Sequence, residues 1–279
     1  MMDFLHSKAR TSILFFLLLP LLSNCQSRSV IRNYDLDNPV VLQLEKELHE
    51  ISGIEIVNNN IYAVGDDKGV LYELDIKTGK TLRTWNFGSP RDYEGLAFFD
   101  NRFYVLNSNG NIFQLEIGEG NDAVVAEYKF PFGKGNEFEV FYFDKSINKF
   151  MLICKECKDD NKQIASAYTF DPFTQVYEKA GFGLDAKAIA DLRGAKKERI
   201  KASGGAIHPL TGELYIVSSI NKMLLVTDKQ GRAVAVHDLK RSNFEQPEGV
   251  GFTPSGDLYI SNEKGSKKTA TIVIYRSNQ

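Results

Sequence analysis

The sequence has few of the residues and motifs on which enzyme chemistry usually depends. Among its 279 residues are only four histidines and three cysteines, and there is no Gly-x-Ser-x-Gly, P-loop or His-Glu-x-x-His motif. An excess of charge of either sign is also lacking, because 34 Lys and Arg face 36 Asp and Glu, for a net charge of -2. No basic field therefore predicts a nucleic-acid partner.

Long hydrophobic runs are also absent, with one short exception near the N-terminus. Lys8 and Arg10 precede an apolar run from Ile13 to Leu22. A run of about ten residues is too short to span a bilayer, but it fits the apolar region of a signal peptide. The run therefore predicts export from the cytoplasm.

The end of this run resembles the lipobox of bacterial lipoproteins. It reads Leu22-Ser23-Asn24-Cys25, with Asn24 where a smaller residue is usual. The resemblance implies that residues 1–24 are removed and that Cys25 carries lipid. Residues 25–29 then form the anchor and tether of a body in the bacterial cell envelope, facing the periplasm. An ordinary secretory signal is the alternative.

What the chain does contain is a hairpin pattern repeated five times. Each copy has a short strand that begins near a glycine, a turn, and a second strand with an aromatic or bulky residue, followed by a third apolar run. The copies start at Gly53, Gly95, Val140, Gly204 and Gly249, so their spacings are 42, 45, 64 and 45 residues. A period in the low forties with three or four strands per copy is typical of propeller blades.

The sequence therefore predicts an all-β protein, a single β-propeller domain over residues 30–279 with five four-stranded blades. The predicted blades span residues 48–90, 91–134, 135–182, 200–243, and 244–279 together with 30–36. Because the last copy lacks a fourth strand, we expect residues 30–36 to close the ring beside residues 270–276. Six blades are the alternative, if the 64-residue spacing hides a degenerate one.

The extra length in that spacing contains one predicted helix. Residues 184–193 have apolar side chains at helical intervals among good helix formers, and Gly194 follows them. This short insertion either decorates the rim of the propeller or caps one mouth of its channel.

The ordered set of motifs resembles the SdiA-regulated β-propeller family. The resemblance is carried by Gln246-Pro247-Glu248-Gly249, the stretch Gly256 to Glu263, Glu50-Ile51-Ser52-Gly53-Ile54 and His208 to Tyr215. It implies an envelope propeller, often lipid-anchored or membrane-tethered, that is linked with calcium and has no established activity. Val140 in place of glycine and Ser203 in place of glutamate depart from the repeated pattern.

Acidic residues near the first strands are the candidate ligands for calcium. In a propeller the first strand of each blade lines the central channel. Several carboxylates brought together there would repel one another unless a cation joined them, and hard oxygen ligands favour calcium. The candidate metal ligands are Glu50, Glu94, Glu139 and Glu248 before the first strands, with Asp66, Asn107, Asn262 and Glu263 at the ends of second strands. Hydrogen bonding of the glutamates to blade turns, without a metal, is the alternative.

The mature body has one pair of cysteines, Cys154 and Cys157. A single C-x-x-C motif without a second pair or a nearby histidine cluster is a weak indication of zinc. In an oxidising compartment a disulfide within this hairpin is the preferred interpretation. Two free thiols are expected if the fold holds the cysteines apart.

These observations favour a binding or scaffold propeller of the envelope, calcium-linked and without evident catalysis. Its partners would be the membrane, through the lipid anchor, and an envelope protein or small ligand. The alternative is a metal-dependent hydrolase of the lactonase or phytase kind, in which Glu94 or Glu248 acts as base in the channel. An acidic, narrow channel would favour ion binding, whereas a basic, wide one would favour phosphoester chemistry.

Overall fold

In the computed structural model the chain forms a ring of five four-stranded antiparallel sheets. The structure describes residues 31, 33–158, 160, 163–197, 199–228 and 230–278, so the predicted signal peptide and Cys25 lie outside the described residues. Among the described residues no helix is long and apolar enough to cross a membrane.

Each of the first four blades is a simple meander in which consecutive strands pair. Blade 1 contains β2 (Ile51–Val57), β3 (Asn60–Gly65), β4 (Lys68–Asp75) and β5 (Thr81–Gly88). Blade 2 contains β6 (Tyr93–Phe99), β7 (Arg102–Asn107), β8 (Ile112–Glu116) and β9 (Val124–Tyr128). Blade 3 contains β10 (Asn136–Asp144), β11 (Lys149–Cys157), β12 (Ile164–Asp171) and β13 (Val176–Asp185). Blade 4 contains β14 (Gly204–Ile207), β15 (Leu214–Ser218), β16 (Met223–Thr227) and β17 (Ala233–Asp238).

Blade 5 joins the two ends of the described chain. It contains β18 (Gln246–Phe252), β19 (Leu258–Glu263) and β20 (Thr271–Tyr275), and its outer strand is β1 (Val40–Gln43). A short 3-10 helix, Lys46–Leu48, connects β1 to blade 1. The five-bladed ring closed by an N-terminal strand is therefore confirmed.

The prediction that residues 30–36 form the strand that closes the ring was wrong. Strand β1, ten residues later than expected, pairs with β20 through Val40 opposite Ile274. Within 30–36 the described residues make one isolated bridge, between Tyr34 and Ser277. A left-handed backbone at Asn33 and a turn after Tyr34 interrupt any strand there, so this segment packs by its side chains instead.

The single α-helix, α1 (Ala186–Arg193), lies close to the predicted range. The Asp185 carboxylate caps its N-terminus by accepting hydrogen bonds from the backbone N–H groups of Lys187 and Ala188, and Gly194 ends it in the left-handed conformation. The helix packs against β17, the outer strand of blade 4, and so decorates the rim.

The core consists of five apolar clusters, each between two neighbouring blades. Trp85, for example, packs with Tyr62 and Phe103 between blades 1 and 2. Ile31 is buried in the cluster between blades 4 and 5, together with Phe244. The described residues N-terminal to β1 are therefore part of the packed body.

A buried histidine holds this N-terminal segment in place. His208 Nδ1 accepts hydrogen bonds from the N–H groups of Leu210 and Thr211, so Nε2 carries the proton of the neutral ring. Nε2 donates to the Tyr34 hydroxyl at 2.9 Å, and that hydroxyl donates to the Gly256 carbonyl. Burial lowers the pKa of His208.

We expect this histidine to make the stability of the propeller sensitive to mild acid. Because its folded pKa lies below the ordinary 6.5, its contribution is present above pH 6.5 and is lost as pH falls toward the lowered pKa. His208→Gln should therefore be destabilised at pH 7, and the difference from wild type should narrow by pH 5. Urea unfolding at both pH values measures this.

Tyr34→Phe is the matched control, because it removes one hydrogen bond, worth about 1 kcal/mol, without removing the titrating group. The free energy of unfolding of Tyr34→Phe should differ from that of wild type by an amount that changes less with pH than the corresponding difference for His208→Gln. A His208→Gln deficit that stays constant from pH 7 to pH 5 would contradict this role.

Candidate functional site

The glycines of the repeat lie where the first strands of neighbouring blades meet at the axis. A Cβ atom on Gly53 would lie 2.5 Å from the backbone nitrogen of Leu96, and one on Gly249 would lie 2.5 Å from the carbonyl oxygen of Ser52. One on Gly204 would overlap the carbonyl oxygen of Glu248. Only glycine permits this close approach, so the repeated glycine is what keeps the channel narrow.

The residue before each repeat position is the candidate for the channel lining. Around the ring these are Ser52, Glu94, Glu139, Ser203 and Glu248. A small cavity of about 10 Å³ is lined by the three glutamates, which we call the channel triad. That volume has room for about one water molecule or ion. The prediction that these glutamates meet in one channel is consistent with this placement.

Burial raises the pKa of every carboxyl group in the channel triad. For Glu94 the next cause is the charge of Glu139, and for Glu139 it is the charge of Glu248. Burial raises the pKa of Glu248 to about 7, although hydrogen bonds from Ser203 and Ser219 and the charge of Lys155 oppose the shift. Burial of these carboxyl groups together therefore favours their neutral forms.

Lys155 supplies a cation to the channel triad, a role that the sequence did not reveal. Its ammonium group pairs with the buried Glu139 carboxylate and with Glu137 at 3.2 Å. Burial alone would lower the pKa of Lys155, but these partners raise it instead. Lys155 and Glu139 both lie at a β-bulge between β10 and β11, where the register skips both residues.

A second acidic group, the mouth triad, lies at one end of the channel and consists of Glu50, Asp66 and Glu263. One carboxylate oxygen from each residue lies within 4.8 Å of the other two. Three turns bring them together, because Glu50 immediately precedes β2, Asp66 immediately follows β3 and Glu263 ends β19. Blades 1 and 5, which are distant in sequence but adjacent in the ring, thus share one site.

The mouth triad is short of positive charge and of hydrogen-bond donors. Burial and the neighbouring carboxylates raise the pKa of Asp66 to about 6 and that of Glu263 to about 8. Among the described residues no lysine or arginine forms an ion pair with these three carboxylates. Gln246 donates a hydrogen bond to Glu263 at 2.6 Å, but Asp66 Oδ1 is buried without a partner.

The remaining predicted ligands have different positions. The Asn107 side-chain amide donates a hydrogen bond to the Asp92 carbonyl at 2.6 Å and so fixes a loop, while its assignment as a ligand stays a prediction. Asn262, next to Glu263, is buried and its Oδ1 has no hydrogen-bond partner.

Cys154 and Cys157 are joined by a disulfide. The bond joins two residues of β11 on either side of Lys155, and it leaves neither sulfur available as a thiolate ligand. The Asp160 carboxylate lies beside the two sulfurs. The disulfide therefore holds the hairpin that presents Lys155 to the channel.

The fold and site define a five-bladed β-propeller with a narrow, acidic channel and a cluster of carboxylates at one mouth. The chain belongs to the SdiA-regulated family, whose model matches residues 31–265. A search of curated proteins found no match.

Solved structures share the fold at low sequence identity. Glutaminyl cyclase from Myxococcus xanthus is 16% identical with a TM-score of 0.59, over 85% of this chain and 94% of that one. The PQQ-bound aldose sugar dehydrogenase of Streptomyces coelicolor is 12% identical, with a TM-score of 0.54 over 86% and 98%. Regucalcin from Agrobacterium tumefaciens, described as a calcium-binding protein, is 13% identical, with a TM-score of 0.53 over 87% and 92%.

The raised pKa values predict that the metal-free protein loses stability as pH rises. A carboxyl group whose pKa in the folded protein lies above the ordinary 4.5 binds more protons in the folded than in the unfolded state. Its contribution to the free energy of unfolding is therefore complete below pH 4.5 and is lost as pH rises through the folded pKa. In chelator, the free energy of unfolding should therefore fall from pH 5 to pH 8. Replacing Glu248 by Gln should remove on the order of 2 kcal/mol of that fall.

Denaturant unfolding at both pH values tests this expectation. Glu119→Gln, at an exposed turn residue away from the channel, is the control and should reproduce the wild-type slope. If Glu248→Gln and Glu119→Gln show the same pH dependence, Glu248 does not carry the raised pKa that burial implies.

Proposed function

We propose that this chain is a calcium-binding propeller of the bacterial envelope, in which the mouth triad binds the ion. The observation that carries the proposal is the convergence of Glu50, Asp66 and Glu263 carboxylate oxygens within 4.8 Å, with the buried Asp66 Oδ1 unpartnered. Carboxylates held this close repel one another unless a cation or protons neutralise them. A divalent cation with hard oxygen preference fits such a donor set.

Calcium is a better candidate for the mouth triad than for the channel triad. The channel triad already has Lys155 as its cation, through the ion pair with Glu139. The mouth triad forms no ion pair with a lysine or arginine among the described residues, and Asp66 Oδ1 is buried there without a hydrogen-bond partner. Calcium accepts six to eight oxygen ligands, carbonyls and waters included, so three carboxylates leave room for such further ligands.

The dimensions and charge of the channel favour ion binding over hydrolysis. The cavity beside Glu94, Glu139 and Glu248 measures about 10 Å³, which leaves no room there for an ester or a phosphorylated sugar. The mouth is acidic, whereas a phytase-like site would need a cluster of basic residues to hold phosphate groups. The calcium-binding description of regucalcin, which shares the fold, supports the same choice.

In this proposal the propeller is a binding or scaffold protein that is tethered by lipid at Cys25. The support is the resemblance of Leu22 to Cys25 to a lipobox and the apolar run before it. Calcium would stabilise the two blades that meet at the mouth triad, blades 1 and 5. The bound ion would thereby rigidify the surface presented to an envelope protein or small ligand.

Calcium should raise the thermal midpoint of residues 25–279 after chelation, and Asp66→Asn should reduce the rise. The reason is that an ion binding only the folded state stabilises it by mass action, about 2.7 kcal/mol at one hundred times the dissociation constant. Asp67→Asn is the matched control, because Asp67 is the adjacent, more exposed carboxylate and pairs with Lys68 at 3.4 Å.

Differential scanning fluorimetry with a calcium series, and magnesium for comparison, measures the response. We expect Asp67→Asn to behave as wild type and Asp66→Asn to need at least about tenfold more calcium, which is a loss of about 1.4 kcal/mol in binding. Equal responses of the two variants would exclude Asp66 as a ligand.

Cys25→Ser should release the protein from the membrane fraction, because the residue that would carry the acyl chains is removed. Fractionation of expressing cells with immunodetection measures this, and Ser27→Ala, two residues away, is the control. Unchanged membrane association of Cys25→Ser would contradict the lipid anchor.

A further inference from the structure

The two faces of the propeller differ, and one of them receives the N-terminal segment. We call the face that carries the turns between first and second strands, and between third and fourth strands, the turn face. The mouth triad lies on the opposite face. On the turn face, Tyr34 bonds to Gly256 in the turn between β18 and β19, and Asn33 accepts a hydrogen bond from Asn278.

Asn33 and Tyr34, near the start of the described chain, therefore lie on the turn face. Ile31 is buried, so the propeller holds the chain from that residue onward. Cys25 precedes Ile31 by six positions, and a fully extended chain of that length reaches about 20 Å. A lipid on Cys25 would thus keep the turn face, and not the mouth triad, close to the bilayer.

Exposed apolar side chains are concentrated on the same face. Those at turn-face ends of strands or in turn-face loops include Leu82, Val124, Ile147, Phe173, Val176 and Leu210. The opposite face and its rim expose fewer, among them Phe132, Leu192 and Ile220. Three of them, Ile147, Phe173 and Val176, lie together at the turn-face end of blade 3.

Phe173 is the most prominent of these side chains at this tip of blade 3, and it is held in a fixed position. It is 69% exposed, yet its ring packs edge-on against Phe99 at 5.8 Å, and Phe99 stacks on Phe143 at 3.9 Å. Its backbone N–H donates to the Asp171 carboxylate. An aromatic ring presented in this way loses little conformational freedom when it enters a bilayer interface.

We propose that the turn face lies on the membrane that holds the N-terminal anchor, with Phe173 and Ile147 in the lipid interface. This inference rests on the tether at Cys25 in the proposed function. Turn carboxylates such as Asp144 and Asp171 share this face, so positive charge does not drive the contact. The contact is driven by burial of apolar side chains, together with the high local concentration that a short tether sets. The calcium site then faces away from the bilayer.

Vesicles with an artificial tether test the orientation independently of lipidation. Residues 25–279 carrying Cys25→Ser and an N-terminal hexahistidine tag are held on phosphatidylethanolamine and phosphatidylglycerol vesicles that contain a nickel-chelating lipid. A bimane fluorophore is placed at Phe173→Cys or at Ile220→Cys. Ile220 is the matched control, because it is 63% exposed and lies in the turn between β15 and β16 on the opposite face. The native disulfide leaves no other free thiol among the described residues.

Nitroxide lipids that quench at interfacial depth give the readout. Because interfacial side chains lie about 5 to 10 Å into the headgroup region, bimane at Phe173→Cys should be quenched about threefold or more strongly than at Ile220→Cys, at low and high salt alike. Equal quenching at the two positions, or stronger quenching at Ile220→Cys, overturns the proposal. If bimane is quenched at neither position and the protein forms a dimer that Phe173→Ser abolishes, the turn face contacts a second copy of the chain. That outcome also overturns the proposal.

A separate calcium titration distinguishes this result from the proposed ion site. Loss of the quenching difference with intact calcium binding would reject only the orientation of the turn face. Loss of calcium binding with an intact quenching difference would reject only the ion site.

Discussion

The site depends on the repulsion between carboxylates that the ring gathers around a narrow axis. Glycines at the first strands let neighbouring backbones approach closely, and the residues beside them converge as a consequence. Lys155 compensates part of this charge from a bulge that the Cys154–Cys157 disulfide closes. The part that no ion pair compensates lies at the mouth triad, where burial and the neighbouring carboxylates raise the pKa of Asp66 and Glu263.

The two triads also form one electrostatic system. The pKa of Glu263 is raised first by burial and then by Glu248, Asp66, Glu50 and Glu139, which connects the mouth to the channel. A cation at the mouth would lower the pKa of each of these groups, since it favours their charged forms. Calcium binding and proton release are therefore expected to be coupled, and the blades that contribute the carboxylates would be stabilised together.

The sequence was sufficient for the architecture because each blade repeats the same local signals. The glycine and the second-strand aromatic recur at nearly constant spacing, and ring closure by an N-terminal strand follows from an incomplete last copy. The identity of that strand was not predictable from apolar content alone. Asn33 adopts a left-handed backbone, and the alternation that buries Leu42 lies ten residues later than residues 30–36.

The sequence predicted which acidic residues belong to the site, but not which of them lie close together. Ring symmetry places Glu94, Glu139 and Glu248 together, whereas the grouping of Glu50 and Asp66 with Glu263 depends on how blade 5 meets blade 1. Lys155 could not be assigned, because a bulge shifts the register at that point and turns its side chain to Glu139. The hydrogen bond from the Asn107 amide to the Asp92 carbonyl was likewise not predictable from the sequence.

The central claim, that a calcium ion replaces protons at the mouth triad, is tested most directly by calorimetry. Calcium is titrated into the chelated protein at pH 7 in two buffers of different ionisation enthalpy. The account predicts saturable binding with net proton release, because the pKa of Glu263 is raised to about 8 in the metal-free state. Absence of binding, or binding whose heat is the same in both buffers, would contradict it.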